Sequence, residues 1–203
     1  MITTQIKGIS LEIETDPELF SPSAIDIGTL AMLNETGFQQ GDRVLDLGCG
    51  CGVVGILAAK LIGAENVMMC DISEKAVMVS RLNAERNGVG GVEVCQSDGL
   101  RDLPEREFTL ILSNPPYHTD FSVAKRFIED GFKRLELGGR MVMVTKRLDW
   151  YKNRLTAVFG GVKVIERDGY FVFIAEKRAA RPPQKAKKEK GGLSKKLRRK
   201  NQR

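Results

Sequence analysis

Two stretches of this 203-residue chain carry residue types and spacings suited to chemistry. The first is Arg43-Val44-Leu45-Asp46-Leu47-Gly48-Cys49-Gly50-Cys51-Gly52. Alternate glycines directly after a short apolar run let the backbone take positive φ and let a ligand approach the main chain closely. The apolar run Val53 to Leu61 then reads as a helix whose N-terminal amides meet the same ligand. The arrangement suits something nucleotide-like over Gly48 to Gly52. The second stretch is Ser113-Asn114-Pro115-Pro116-Tyr117, after the apolar run Phe108 to Leu112. Asn114 offers a side-chain carbonyl and the Asn-Pro peptide a backbone carbonyl. The paired prolines hold both in place, because each locks φ and restricts the residue before it. Tyr117 adds an aromatic face.

Two acids lie between these stretches. Asp71, with Ile72 after it, ends the run Asn66 to Cys70 about twenty residues past the glycine turn, where parallel α/β folds place a carboxylate for ribose hydroxyls. Ser73 and Glu74 open a helix there, so Asp71 also fits as a helix N-terminal acid. Ser97-Asp98-Gly99 follows Val92 to Cys95 and by itself is a turn signal. Gly50-x-Gly52-x-x-Gly55 matches the dinucleotide fingerprint formally, yet Gly48 already closes the strand.

Asp46-x-Gly48-x-Gly50-x-Gly52 resembles motif I of the class I S-adenosylmethionine-dependent methyltransferases, and Asn114-Pro115-Pro116-Tyr117 is similar to their motif IV, found in enzymes that methylate planar nitrogens. The resemblance implies that Asp46, Gly48, Gly50, Gly52, Asp71, Ile72, Asp98, Gly99 and Asn114 hold the cofactor, with Asp98 taking the adenine amine. It implies a catalytic role for Asn114, Pro115, Pro116 and Tyr117. An exocyclic amine is a poor nucleophile because its lone pair is delocalised. Two carbonyls aimed at its N–H bonds would free that lone pair, and the base would stack on Tyr117. Catalysis would then be positioning and electrostatics without a metal.

With His118 following, Asn-Pro-Pro-Tyr-His resembles the ribosomal RNA guanine-N2 methyltransferases, and Phe20-Ser21 with Asp26-x-Gly28-Thr29 resembles the segment before motif I in that group. Such a segment would close over the methionine end of the cofactor. Tyr117 and His118 become substrate-facing residues; His118 otherwise reads as a polar loop residue. The resemblance runs from Phe20 to Lys177. It has no counterpart of the extra N-terminal domain of the bacterial small-subunit enzymes, so it is similar to the stand-alone "methyltransferase small" domain.

These residues must be positioned by a sheet. Ile2 to Ile13 reads as a small outer strand and Ile25 to Leu33 as a helix. Strands are expected at Val44–Leu47, Asn66–Cys70, Val92–Cys95, Phe108–Leu112 and Met141–Thr145. Helices fall between them, including one over Val123 to Leu137 stopped by Gly138-Gly139. A helix over Leu148 to Phe159 and a hairpin across Asp168-Gly169 close the pattern. The expected fold is a Rossmann-like, seven-stranded α/β sheet, mostly parallel with a C-terminal antiparallel hairpin.

The net charge of +6 is unevenly spread: 13 of the 32 Lys and Arg but one of the 26 acids fall from Lys177 onward, leaving the body at −6. Residues 1–178 read as the domain and 179–203 as a basic, disordered tail that anchors RNA, ribosomal RNA or a ribosomal subunit by phosphate attraction. The tail also fits a solvated polyanion binder. One histidine and a lone Cys-x-Cys cannot assemble a zinc site. Cys70 and Cys95 read as core thiols. Without an apolar run of membrane-spanning length or a signal peptide, the chain reads as reduced and cytoplasmic, with no membrane partner. Oligomeric state is not legible.

The resulting expectation is methyl transfer from S-adenosylmethionine to an exocyclic nitrogen in RNA, with guanine N2 of ribosomal RNA preferred. The alternatives are adenine N6 or protein glutamine, an RNA-binding protein with a silent methyltransferase fold, and an NAD-dependent oxidoreductase.

Overall fold

The computed structural model describes residues 1–17, 19, 24–116 and 121–183. Among the described residues, nine strands and five α-helices follow in order: β1 (Ile2–Ile6), β2 (Ile9–Ile13), α1 (Ile27–Glu35), β3 (Val44–Leu47), α2 (Val53–Ile62), β4 (Val67–Asp71), α3 (Glu74–Arg86), β5 (Glu93–Gln96), β6 (Phe108–Ser113), α4 (Phe121–Arg134), β7 (Leu135–Thr145), α5 (Leu148–Phe159), β8 (Lys163–Arg167) and β9 (Tyr170–Glu176). Seven strands form one sheet in the order β5-β4-β3-β6-β7-β9-β8. All neighbours are parallel except β9, which runs antiparallel to both β7 and β8.

Strands buried on both faces cannot alternate polar with apolar, which is why Val44–Leu47 and Val67–Cys70 are nearly continuous apolar runs. Their period of two sorts side chains onto two cores. Val44, Val67, Met69, Leu110 and Val142 face α1, α2, α3 and the β1–β2 hairpin. Leu45, Leu47, Met68, Ile111 and Met141 face α4 and α5. Strand order reverses between β3 and β6, so a crevice opens past their carboxyl ends. The glycine turn, Asp71, Asp98 and Asn114 leave the C-terminal ends of β3, β4, β5 and β6 and therefore gather on that edge.

Three expectations need correction. Ile2 to Ile13 is a hairpin, with Ile6 opposite Ile9 and both turn residues, Lys7 and Gly8, at positive φ. The segment from Leu135 to Leu137 is strand, not helix. Leu135 pairs with Phe108, the register shifts before Leu110 pairs with Arg140, and Gly138 and Gly139 lie inside this bulge. A Cβ on Gly139 would sit 3.1 Å from the Phe108 carbonyl oxygen, so that glycine serves close strand approach. Cys70 is buried, its thiol pushed up to about 12 chiefly by burial, but Cys95 is only half-buried.

Candidate functional site

A cleft of about 470 Å³ opens at the C-terminal edge of the sheet, within the range of small-molecule sites. Asp46, Gly48, Gly50, Asp71, Ile72, Asp98, Gly99, Asn114, Pro115 and Pro116 all line it. Gly52 stands behind the wall as N-cap of α2, at φ 86° and close to Ser80. Tyr117, His118 and the segment Phe20 to Ser23 lie outside the described residues, as does the chain from Gln184 on.

The glycine turn is fixed by its own backbone. Gly48, Gly50 and Gly52 take φ of 79°, 56° and 86°. No atom crowds a Cβ at Gly50, so conformation rather than space demands glycine there. The amides of Gly48 and Cys49 both donate to the Cys70 carbonyl, each at 2.9 Å, and the Gly52 amide donates to Cys49 at 2.8 Å. Ser80, fully buried on α3, donates its hydroxyl to the Gly50 carbonyl at 2.8 Å.

Two acids consume further amides. Gly50 N–H donates to Asp71 Oδ2 at 2.9 Å, and Ser73 N–H to Asp71 Oδ1 at 3.0 Å. Both expectations for Asp71 thus meet in one residue, which braces a helix start and lines the cleft. Gly55 N–H, in the first turn of α2, donates to Asp46 Oδ2 at 2.9 Å. Gly55 has no side chain because a Cβ there would run into Met69 at 2.4 Å. Asp46 is itself buried, and its carboxyl is pushed up to about 7, first by burial and then by the nearby Asp71 charge, with the Gly55 hydrogen bond opposing. The amides of Gly48, Cys49, Gly52 and Gly55 are therefore spent within the fold, and that of Gly50 on Asp71 at the cleft wall. A pyrophosphate, which needs such donors, fits this acid-lined floor poorly. A neutral nucleoside carrying a cation fits it well.

Asp98 lines the cleft with cationic partners of its own. Arg126 on α4 grips it bidentately, at 2.7 and 2.9 Å, with Arg101 at 3.3 Å. The Arg126 hydrogen bonds hold its carboxyl below the usual range. Arg126 lines the cleft too, and its pairing across 28 residues left no local signal in the sequence.

At the opposite end, Ser113 anchors the end of β6 by donating to the Leu47 carbonyl at 2.8 Å. Asn114 Nδ2 donates to Asp26 Oδ2 at 2.8 Å and to Thr29 Oγ1 at 3.0 Å. That pairing fixes which way the amide faces, turning Oδ1 away from α1. Asp26 also caps α1 by accepting from Thr29 N–H at 2.8 Å, and it accepts from the Tyr170 hydroxyl at 3.3 Å. Gly28 is required between them, because a Cβ would lie 2.6 Å from the Tyr170 ring. The Asp26-x-Gly28-Thr29 pattern thus has a local cause, an acceptor, a gap and a hydroxyl facing Asn114 from one helix end.

Comparison with known proteins sharpens this geometry. A family model described as "Methyltransferase small domain" matches residues 10–175. A Ribosomal RNA small subunit methyltransferase C from Serratia proteamaculans (strain 568) is 34% identical over 89% of this chain and 52% of that protein. The chain spans about half the length of the curated relatives it matches. Among solved structures, a T. thermophilus 16S rRNA N2 G1207 methyltransferase in complex with AdoMet and guanosine aligns with TM-score 0.79 and 26% identity, covering 87% of this chain and 50% of that one. A methyltransferase from Pyrococcus furiosus aligns with TM-score 0.68 over 82% of this chain and 89% of its own, and at 24% identity it speaks for the fold alone.

Proposed function

The chain belongs to the methyltransferase small domain family, and on that premise we propose that its cleft transfers a methyl group from S-adenosylmethionine to guanine N2 of ribosomal RNA. When bound, S-adenosylmethionine supplies a methyl group already activated on a sulfonium. The residues fit it. Asp71 is oriented by two backbone amides and keeps a second acceptor site on each oxygen for ribose hydroxyls. Gly48 and Gly50 admit close approach, and Asp71 places negative charge beside a cationic ligand. Asp98, gripped by Arg126, closes the adenine end.

The observation that carries the proposal is the locked carboxamide of Asn114 in that same cleft. With Nδ2 committed to Asp26 and Thr29, Oδ1 accepts one N–H of an exocyclic amine, and the Asn114 backbone carbonyl before Pro115 accepts the other. Together they draw electron density from the ring conjugation back to nitrogen, aimed at the methyl donor. Tyr117 supplies the stacking face and His118 orients the base. The relatives named for ribosomal RNA and the neighbour solved with guanosine support guanine over adenine.

The test is methyl transfer by the purified chain from labelled S-adenosylmethionine to ribosomal RNA, small subunits, transfer RNA and protein. Label in N2-methylguanosine from ribosomal RNA is the expected result. Label in N6-methyladenosine, or in protein glutamine alone, overturns the guanine assignment while leaving the chemistry of Asn114 in place.

A further inference from the structure

We infer that the corner where β7 turns into α5, with the first residue of α4, is a docking surface for the single-stranded RNA flanking the target base. This rests on the proposal above that the acceptor is RNA. Ser113 pairs with Met143 across β6 and β7. Asn114 is then level with Val144, and Lys146 lies two residues farther along, roughly 7 Å at ordinary strand rise.

The corner carries an unusual mixture. Phe121 and Trp150 stack with centroids 4.3 Å apart and planes 14° from parallel. The Arg147 guanidinium lies 4.9 Å over the Phe121 ring. Lys146 Nζ lies 4.8 Å over Tyr170, whose hydroxyl reaches Asp26 and through it Asn114. Core packing accounts for Tyr151, which is buried against Phe173. Trp150 and Phe121 pack on the edge of that core and stay half-exposed, with exposed Arg147 over Phe121 and exposed Lys146 over Tyr170. The body as a whole has a net charge of −6, and Lys146 and Arg147 set two adjacent cations beside the acceptor end of the cleft, with Asp149 the acid next to them.

Aromatic faces for bases and cations for phosphates are how proteins hold single strands. Here the consecutive cations lie over different rings, Tyr170 and Phe121, so they bracket the corner. Resting on rings, they lose less freedom when a phosphate arrives. On the cofactor side the Arg126 guanidinium pairs with Asp98.

Trp150 is the only tryptophan in the chain, so its emission reports on this corner directly. The full chain, without cofactor so that no turnover occurs, is titrated with a short single-stranded RNA. We expect saturable quenching. The double variant Lys146→Glu, Arg147→Glu weakens binding on the order of tenfold at 0.1 M salt and reduces the slope of log affinity on log salt by about 1.4, two single-strand contacts' worth. Lys146→Ala, which leaves the Arg147–Phe121 contact in place, reduces the slope by about 0.7 and guards against a folding defect in the double variant.

RNA that shifts in a mobility assay while Trp150 emission stays fixed and both variants bind as wild type overturns the inference. Quenching by a protein acceptor but not by RNA overturns it as well. Quenching by RNA that is never methylated leaves the surface standing and removes the proposed activity instead. Methylation of RNA with unchanged affinity in both variants does the reverse.

Discussion

The two ends of the cleft are built by different means. At the cofactor end, the shape is written into the main chain: three positive-φ glycines, amides turned into the fold, and acids that brace the turn. At the acceptor end, side chains distant in sequence hold one another. Asp26 and Thr29 orient Asn114 across 88 and 85 residues, and Tyr170 reaches Asp26 across 144. A backbone-built end tolerates changes that keep the conformation. A side-chain-built end fails when any one partner is cut away.

The strongest way to break this contrast is at Asn114. Asn114→Ala is expected to lower kcat by about 10²–10³, as loss of a positioned transition-state group does, while cofactor affinity changes only a few-fold. Steady-state transfer with a parallel calorimetric binding measurement checks it.

Asp26 acts as a positioning residue through Asn114. Asp26→Ala is expected to cost up to about 10² in kcat with little change in KM for RNA, since an ångström-scale misplacement can cost that much. Asp26→Asn keeps an oxygen for both Nδ2 and the Thr29 amide and restores most of the rate. An alanine variant with normal kcat shows that Asn114 is held without α1.

The cofactor end is sharpened by Asp46. Its folded-state value of about 7 lies above the ordinary 3.8, because burial disfavours the charge. A raised carboxyl contributes stability that is fully present below about pH 4 and is lost as pH rises to about 7. Asp46→Asn preserves the acceptor for Gly55 N–H and removes the titration. The variant is expected to gain about 2 kcal/mol or more over wild type at pH 8, and to match it near pH 4. Urea midpoints across that range decide it; an equal difference at both pH values contradicts the buried-charge account.

The smallest effect is expected at Gly48. At φ 79° with Phe127 no nearer than 3.7 Å to an added Cβ, Gly48→Ala meets conformational strain but no clash. It is expected to cost about 1–2 kcal/mol in denaturant unfolding and little in the chemical step. A large loss of kcat would show that the two ends are coupled through the turn.

The same contrast decides what the sequence disclosed. Strand, glycine turn and helix are local, so β3, the turn and α2 are read directly from residue types, as is the reversal at Asp168-Gly169. Expectation failed where local signals were weak or doubled. Lys7 at φ 51° is an unusual turn residue, which hid the β1–β2 hairpin. Gly138-Gly139 looks like a helix stop but sits in a strand bulge. At the site, the helix-start role of Asp71 and the Asp26-x-Gly28-Thr29 pattern are legible, but the Gly50–Asp71 bond, the Arg126 grip on Asp98 and the pairing of Asp26 with Asn114 are not, because each joins residues that only the fold brings together.

The central claim is that one cleft joins a methyl donor to a guanine amine held by Asn114. The most direct measurement digests ribosomal RNA from cells with the gene, without it, and with Asn114→Ala in its place to nucleosides for mass spectrometry. We expect N2-methylguanosine to fall equally in the deletion and the Asn114→Ala strain. Unchanged N2-methylguanosine in both, or loss in the deletion that Asn114→Ala fully restores, contradicts the account.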